Sequence, residues 1–290
     1  MVAVRFETED PEEAVSGFAV TRHTAHGDVR VHVWPAASDA DRRPVLFCQH
    51  GWTESGEVFG ALAAALGRCW TLVAPDAPGH GGSPWPPVAR FRVADHARTA
   101  LEVLDALPEV AGRRADVVIL GHGMGALTAS RLAAARPGVV RHLLLEDPAR
   151  AAVRRTPAAA RVRARVAELR HLDHCEIVGR ARTMTPTWPV DELQAWARGM
   201  EQLSLPALAV PVDWGEPLVA LLADVPTPVT LVHGRLSRGG MVSAVAARRC
   251  AAACREGCEV VVMDAAHHPR REARGPFIAL LTSVLNRYRR

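Results

Sequence analysis

The sequence predicts an α/β protein: a mostly parallel sheet flanked by helices, with an antiparallel edge near the N-terminus and an all-helical insertion late in the chain. Three observations carry this reading. Short apolar runs alternate with helix-periodic runs, the pattern of parallel strands joined by crossover helices. Two alternating segments near the start are separated only by a short turn, which calls for antiparallel pairing. Strand signals then stop between residues 150 and 224 and resume at residue 225.

The elements follow in order. "GFAVTRHTA" and "DVRVHVWP" form a hairpin about "HGD". "PVLFCQHG" reads as a buried strand, "EVFGALAAALGR" as a helix, and "WTLVAPDAPGHG" as a strand running into a glycine- and proline-rich loop. "VADHARTALEVLDAL" has apolar residues at three- and four-residue spacing, so it is helical. "ADVVILGHG" is a strand, "GALTASRLAAARP" a helix stopped by Pro137, and "VRHLLLEDPA" the sixth strand. "RVRARVAELRHL" and "DELQAWARGMEQL" are the clearest helices of the insertion. "TPVTLVHG", "MVSAVAARRCAAA", "CEVVVMDAAHH" and "PFIALLTSVLNRY" restore the alternation. The expected organisation is a core of residues 1–149 and 225–290 interrupted by a helical cap of residues 150–224, lying over the carboxyl ends of the strands.

Composition excludes several chemistries. The net charge is +4, but all 35 basic residues are arginine, so no lysine nucleophile or Schiff base is available. Arginine-only usage beside abundant Ala, Val, Gly and Pro reads as genome bias, and no nucleic-acid partner is expected. The one tyrosine, Tyr288, lies in the C-terminal tail. Six cysteines without a charged, apolar leader read as free thiols of a cytoplasmic protein, and Cys250, Cys254 and Cys258 lack the spacing of a metal site. No run approaches the roughly 18 apolar residues of a membrane span. Arg154, Arg155, Arg161, Arg163, Arg165 and Arg170 read as a solvated cap face, with attraction of an anionic substrate or acidic partner as the alternative.

Four motifs carry chemistry. "QHGWTESG" (49–56) follows the third strand, "PDAPGHGGS" (75–83) the fourth, "GHGMG" (121–125) the fifth, and "VVMDAAHHPRRE" (261–272) contains the last strand. In this order they resemble the α/β-hydrolase fold over essentially the whole chain: an eight-stranded sheet with a cap after strand 6, similar to the capped ester, lactone and carbon–carbon hydrolases. The resemblance implies a nucleophile elbow at Gly121–Gly125, an oxyanion hole from the N–H groups of Trp52 and Met124, and His267, rather than His268, as the acid/base.

Two triad positions depart from the family pattern. Gly123 stands where the nucleophilic serine is expected, and Ser237 where the loop after the seventh strand usually places the acid. Glu146 and Asp147, at the end of the sixth strand, are the replacement acids; hinge or cap contacts are their bland alternative. His50, His122, Trp188 and Trp196 are expected near the pocket, although His50 and His80 suit loop support, Asp76 suits a loop anchor, and the tryptophans also suit cap packing. Thr53, Glu54 and Ser55 face either pocket or solvent.

The expected function is non-covalent acid–base chemistry by His267 on a small carbonyl-bearing molecule, without cofactor, metal or membrane. The alternatives are an inactive pseudo-hydrolase that binds a ligand or partner, and a serine hydrolase whose nucleophile was replaced by design. Nothing in the sequence sets an oligomeric state.

Overall fold

The computed structural model describes residues 4–5, 17–36, 45–86, 91–107, 116–149 and 157–288; Arg154 and Arg155 lie outside them, as does the side chain of Arg161. The described strands are β1 (Val4–Arg5), β2 (Phe18–Thr24), β3 (Gly27–Trp34), β4 (Val45–Gln49), β5 (Thr71–Pro75), β6 (Phe91–Arg92), β7 (Val117–His122), β8 (Val140–Glu146), β9 (Val212–Asp213), β10 (Val229–His233) and β11 (Cys258–Val262). The helices are α1 (Gly60–Leu66), α2 (Val93–Asp105), α3 (Met124–Ala135), α4 (Pro157–Leu169), α5 (His174–Met184), α6 (Val190–Gln202), α7 (Leu205–Ala209), α8 (Leu218–Ala223), α9 (Ala244–Ala253), α10 (Pro269–Glu272) and α11 (Arg274–Asn286).

The main sheet has the order β1-β2-β3-β5-β4-β7-β8-β10-β11. Its eight longer strands are those expected, and the two-residue β1 extends the edge. β2 and β3 pair antiparallel, as their short turn demands, and β3 pairs antiparallel with β5; from β5 through β11 every pairing is parallel. The chain leaves β4 outward to β5 and then returns to β7 on β4's other side. The crevice where strand order reverses is where open α/β sheets place their sites.

Side chains alternate across the sheet with period two. Val45, Phe47, Val117 and Ile119 pack with α2, α3, α8 and α9, whereas Leu46, Cys48, Val118 and Leu120 pack with α1 and α11. Helices α4–α7 build a separate apolar cluster from Val166, Leu169, Ile177, Trp188, Leu193, Trp196, Met200, Leu203 and Leu208. Leu218 and Leu222 of α8 join the sheet's own core, so the chain is already back on the sheet before residue 224. Among the described residues no helix is long and apolar enough to cross a membrane.

Loops at the carboxyl ends are held by buried polar groups. Asp76 accepts the N–H of Gly56 at 2.6 Å and of Gly82 at 2.8 Å, and faces His32 Nε2 at 3.2 Å. Close by, His50, His80 and His96 form a buried group, with ring centroids 5.3 Å apart for His50–His80 and 6.1 Å for His50–His96. Burial, and secondarily the neighbouring His50, push the His80 pKa down to about 3. The unfolded chain titrates near 6.5 and takes the proton first as pH falls. Stability from a neutral His80 is therefore fully present above pH 6.5 and is lost as pH drops toward 3, on the order of 5 kcal/mol when complete. Urea unfolding at pH 7 and pH 4 should show a smaller pH-dependent loss in His80→Asn than in the wild type; equal losses would remove His80 as a source of acid sensitivity.

Candidate active site

β7 delivers the elbow. Its three glycines meet different demands. A Cβ at Gly121 would lie 2.5 Å from the Gly125 carbonyl oxygen, and one at Gly125 would lie 2.0 Å from the Gln49 carbonyl oxygen, so both positions require glycine for backbone approach. Gly123 has the room they lack but sits at φ +54, ψ −111, a conformation that L side chains rarely adopt. Its ideal Cβ would stand 3.3 Å from His267 Nε2 and 3.8 Å from Gly51 Cα. Gly123 thus lies between the loop after β4 and the histidine after β11. Met124 opens α3, so its N–H has no helical carbonyl to bond.

The two carboxylates at the end of β8 separate. Asp147 is fully buried, and its Oδ2 faces His267 Nδ1 at 2.7 Å while accepting the Met241 N–H at 2.8 Å. Glu146 turns to the other side of the strand end. Its Oε1 accepts the Arg270 N–H at 2.6 Å and its Oε2 faces Arg270 Nη1 at 2.7 Å, so Glu146 does not reach His267. Ser237 sits exposed on the Leu236–Arg238 turn. The loop after β10, where the family pattern places an acid, instead donates the Met241 N–H to Asp147. Asp147 at φ +37 and Thr53 at φ +75 are the two described non-glycine residues with positive φ. Both flank the crevice, where strained backbone is held by its surroundings.

Beneath the elbow lies an ion network that the sequence did not announce. His122, 1% exposed, places Nδ1 3.0 Å from Glu54 Oε2 and Nε2 3.0 Å from the His267 carbonyl oxygen. It lies against the His267 and His268 rings, at centroid distances of 4.7 and 4.8 Å. Glu54 also accepts the Gly51 N–H at 3.0 Å and faces Arg271 Nη1 at 2.8 Å. Arg271 Nε donates to Glu192 of α6 at 2.8 Å, and its guanidinium lies 4.3 Å over the Trp188 ring. Burial opposes charge on Glu54, but Arg271 and His122 outweigh it and hold the carboxyl well below its usual range. Burial likewise opposes a charged His122, and the Glu54 and Glu146 carboxylates outweigh it and raise its pKa. His268 moves the other way: burial first, then His122 and Arg271, hold it well below 6.5.

Glu54, His122 and His268 bring ligand-type atoms within 4.8 Å of one another. The arginine on Glu54 and the two bonds at His122 already use those atoms and place positive charge around them, so the group is arranged as an ion-pair network, not as a cation cage. The remaining expected residues divide as follows. His50 is fully buried, accepts the Ala77 N–H at Nε2 (2.9 Å) and donates from Nδ1 to the Gly51 carbonyl (2.8 Å), so it ties two loops together. Trp52 is half-buried and meets Trp214 edge-on at 6.2 Å. Trp188 and Trp196 pack in the helical cluster, and Trp188 also meets His268 at 4.7 Å. Thr53, Glu54 and Ser55 are buried; Arg165 and Arg170 are exposed.

Residues 45–280 match the Alpha/beta hydrolase family. The chain belongs to that family. Among its hydrolase relatives it is 38% identical over 100 residues to lipase LipV of Mycobacterium tuberculosis, covering 34% of this chain and 35% of LipV. It is 30% identical over 216 residues to a pimeloyl-[acyl-carrier protein] methyl ester esterase of Aromatoleum aromaticum, covering 66% of this chain and 79% of the esterase. The matched stretch spans between 34% and 40% of the length of several other curated relatives. In fold it is similar to the thioesterase domain from the curacin biosynthetic pathway, with a TM-score of 0.69 at 17% identity over 91% of this chain and 98% of that domain.

Proposed function

We propose that this hydrolase-family chain is an enzyme that performs non-covalent acid–base chemistry on a small carbonyl-bearing molecule, with His267 as acid/base and Asp147 as the residue that orients it. The observation that carries this reading is the position of His267 Nε2, 3.3 Å from where a Cβ on Gly123 would stand, with Nδ1 held at 2.7 Å by Asp147. A carboxylate can only accept, so Nδ1 carries the proton and the neutral ring keeps its Nε2 lone pair facing the space over Gly123. That lone pair takes a proton from a substrate carbon or hydroxyl, or from a water, and returns it later in the reaction.

The carbonyl oxygen lies against the N–H groups of Trp52 and Met124, where the positive end of α3 favours developing negative charge. No atom at position 123 can form an acyl-enzyme. Acid–base action contributes about 10²–10⁴ and each oxyanion donor about 10²–10³. Elimination, cyclisation, isomerisation, decarboxylation and water-mediated hydrolysis all fit these groups. The lipase and methyl ester esterase among the relatives support a carbonyl substrate.

A panel of small esters, lactones, β-keto acids and enolisable ketones, followed by NMR in deuterated buffer, tests the reading. Substrates turned over by the wild type should show no pre-steady-state burst, and His267→Ala should lower their rate at least 100-fold. An unchanged rate in His267→Ala overturns it. The completeness of the Asp147–His267 pair also favours a second reading, a serine-hydrolase site silenced at one position that binds its ligand without converting it. Tight-binding panel compounds recovered intact after long incubation would select that reading.

A further inference from the structure

The two ring nitrogens of His122 face two acceptors. Glu54 Oε2 lies 3.0 Å from Nδ1, and the His267 carbonyl oxygen lies 3.0 Å from Nε2. Neither acceptor can donate: one is a main-chain carbonyl, and the other belongs to a carboxylate that also takes the Gly51 N–H and faces Arg271. A neutral imidazole has one N–H and would leave a lone pair against oxygen. Charge counting agrees. The buried carboxylates of Glu54, Glu146 and Glu192 meet two buried guanidinium groups, Arg270 and Arg271, which leaves one negative charge for a cation to balance. The other rings against His122 are His267 and His268, at centroid distances of 4.7 and 4.8 Å. His268 cannot supply the missing cation, because its Nδ1 faces the Arg271 guanidinium at 3.4 Å.

We infer that His122 is a permanently charged imidazolium that positions His267 from beneath the site. His267 is then pinned at two points, its side chain by Asp147 and its own carbonyl by His122. The ring beside the nucleophile position acts only through His267, so His122 is a positioning residue. The network joins this clamp to α6 through Glu192, so one set of buried charges ties the helical segment, the loop after β4, the elbow and the histidine loop together.

The inference rests on His267 as the acting group, but its test needs no turnover. With histidine rings labelled with ¹⁵N in the full chain, one ring should carry two protons from pH 6 to pH 9, and its signals should be missing from His122→Gln. A His122 ring with a bare nitrogen at pH 7 overturns the charge. The low-field proton of His267 Nδ1–H on Asp147, identified by its loss in Asp147→Asn, reports the positioning. It should be lost in His122→Leu and partly restored in His122→Gln, which keeps two N–H donors without the charge. An unmoved signal in His122→Leu overturns the positioning role; should that variant fail to fold, an unmoved signal in His122→Gln does so. If His267→Ala leaves turnover unchanged while these signals behave as expected, the acid–base reading fails and the clamp stands.

Discussion

Serine placed at position 123 should convert the protein into a covalent hydrolase. On the proposed reading, Gly123→Ser adds a nucleophile beside a ready acid–base pair, since Asp147 and His267 lie 2.7 Å apart and His267 Nε2 lies 3.3 Å from the incoming Cβ. Deleting a triad serine costs about 10⁶ in rate, which bounds the gain, and at least 10³ toward an activated ester is the expected result. The variant should react with a fluorophosphonate probe, read as one adduct by intact mass, and should release a burst of nitrophenol from a nitrophenyl ester. Wild type and Gly123→Ala should do neither. A side chain at φ +54 also carries strain of about 1–3 kcal/mol, so Ser and Ala variants should lose similar stability in urea unfolding. An unlabelled but folded Gly123→Ser would mean that the site has diverged beyond position 123.

The fold was legible because its strands are written in plain apolar code. "VLFCQ" and "VVILGH" are buried along their whole length, as the central strands of a covered parallel sheet must be. His267 was legible from its motif, and Gly123 from the gap it leaves in one. The acid was not. Glu146 and Asp147 are adjacent at a strand end, and which one turns toward His267 depends on a positive φ that no periodicity encodes. Ser237 misled for a related reason: its loop contributes the Met241 N–H to Asp147, a backbone role to which sequence is blind. Glu192, Arg270 and Arg271 carry no sequence signal of a site, and Glu54 reads equally as pocket or solvent, because charged residues are ordinarily solvated. Their burial makes sense only when three segments distant in sequence converge. The double arginine one proline after the double histidine was the one available hint.

Arg270→Ala should be the most destabilising of the charge substitutions, by about 3–5 kcal/mol. Arg270 is 1% exposed, donates from its backbone and from Nη1 to Glu146, approaches Glu192 at 3.8 Å, and lies 4.8 Å over the Phe59 ring. Its removal leaves the Glu146 carboxylate with one backbone donor and without its paired guanidinium, in a place from which water is excluded. An exposed pair such as Arg180–Glu168 provides the contrast, and Glu168→Ala should stay within about 1 kcal/mol. If the penalty arises from the stranded charge rather than from lost packing over Phe59, adding Glu146→Gln to Arg270→Met should recover most of it, because both charges then leave together. Urea unfolding of the four variants separates the two causes. A loss under 1 kcal/mol in Arg270→Ala would mean that solvent or another cation reaches Glu146. The same substitution bears on the site, because the Glu146 carbonyl accepts the Gly123 N–H at 3.0 Å and Arg270 lies three residues after His267. Loosening this pair therefore loosens both the elbow and the histidine loop.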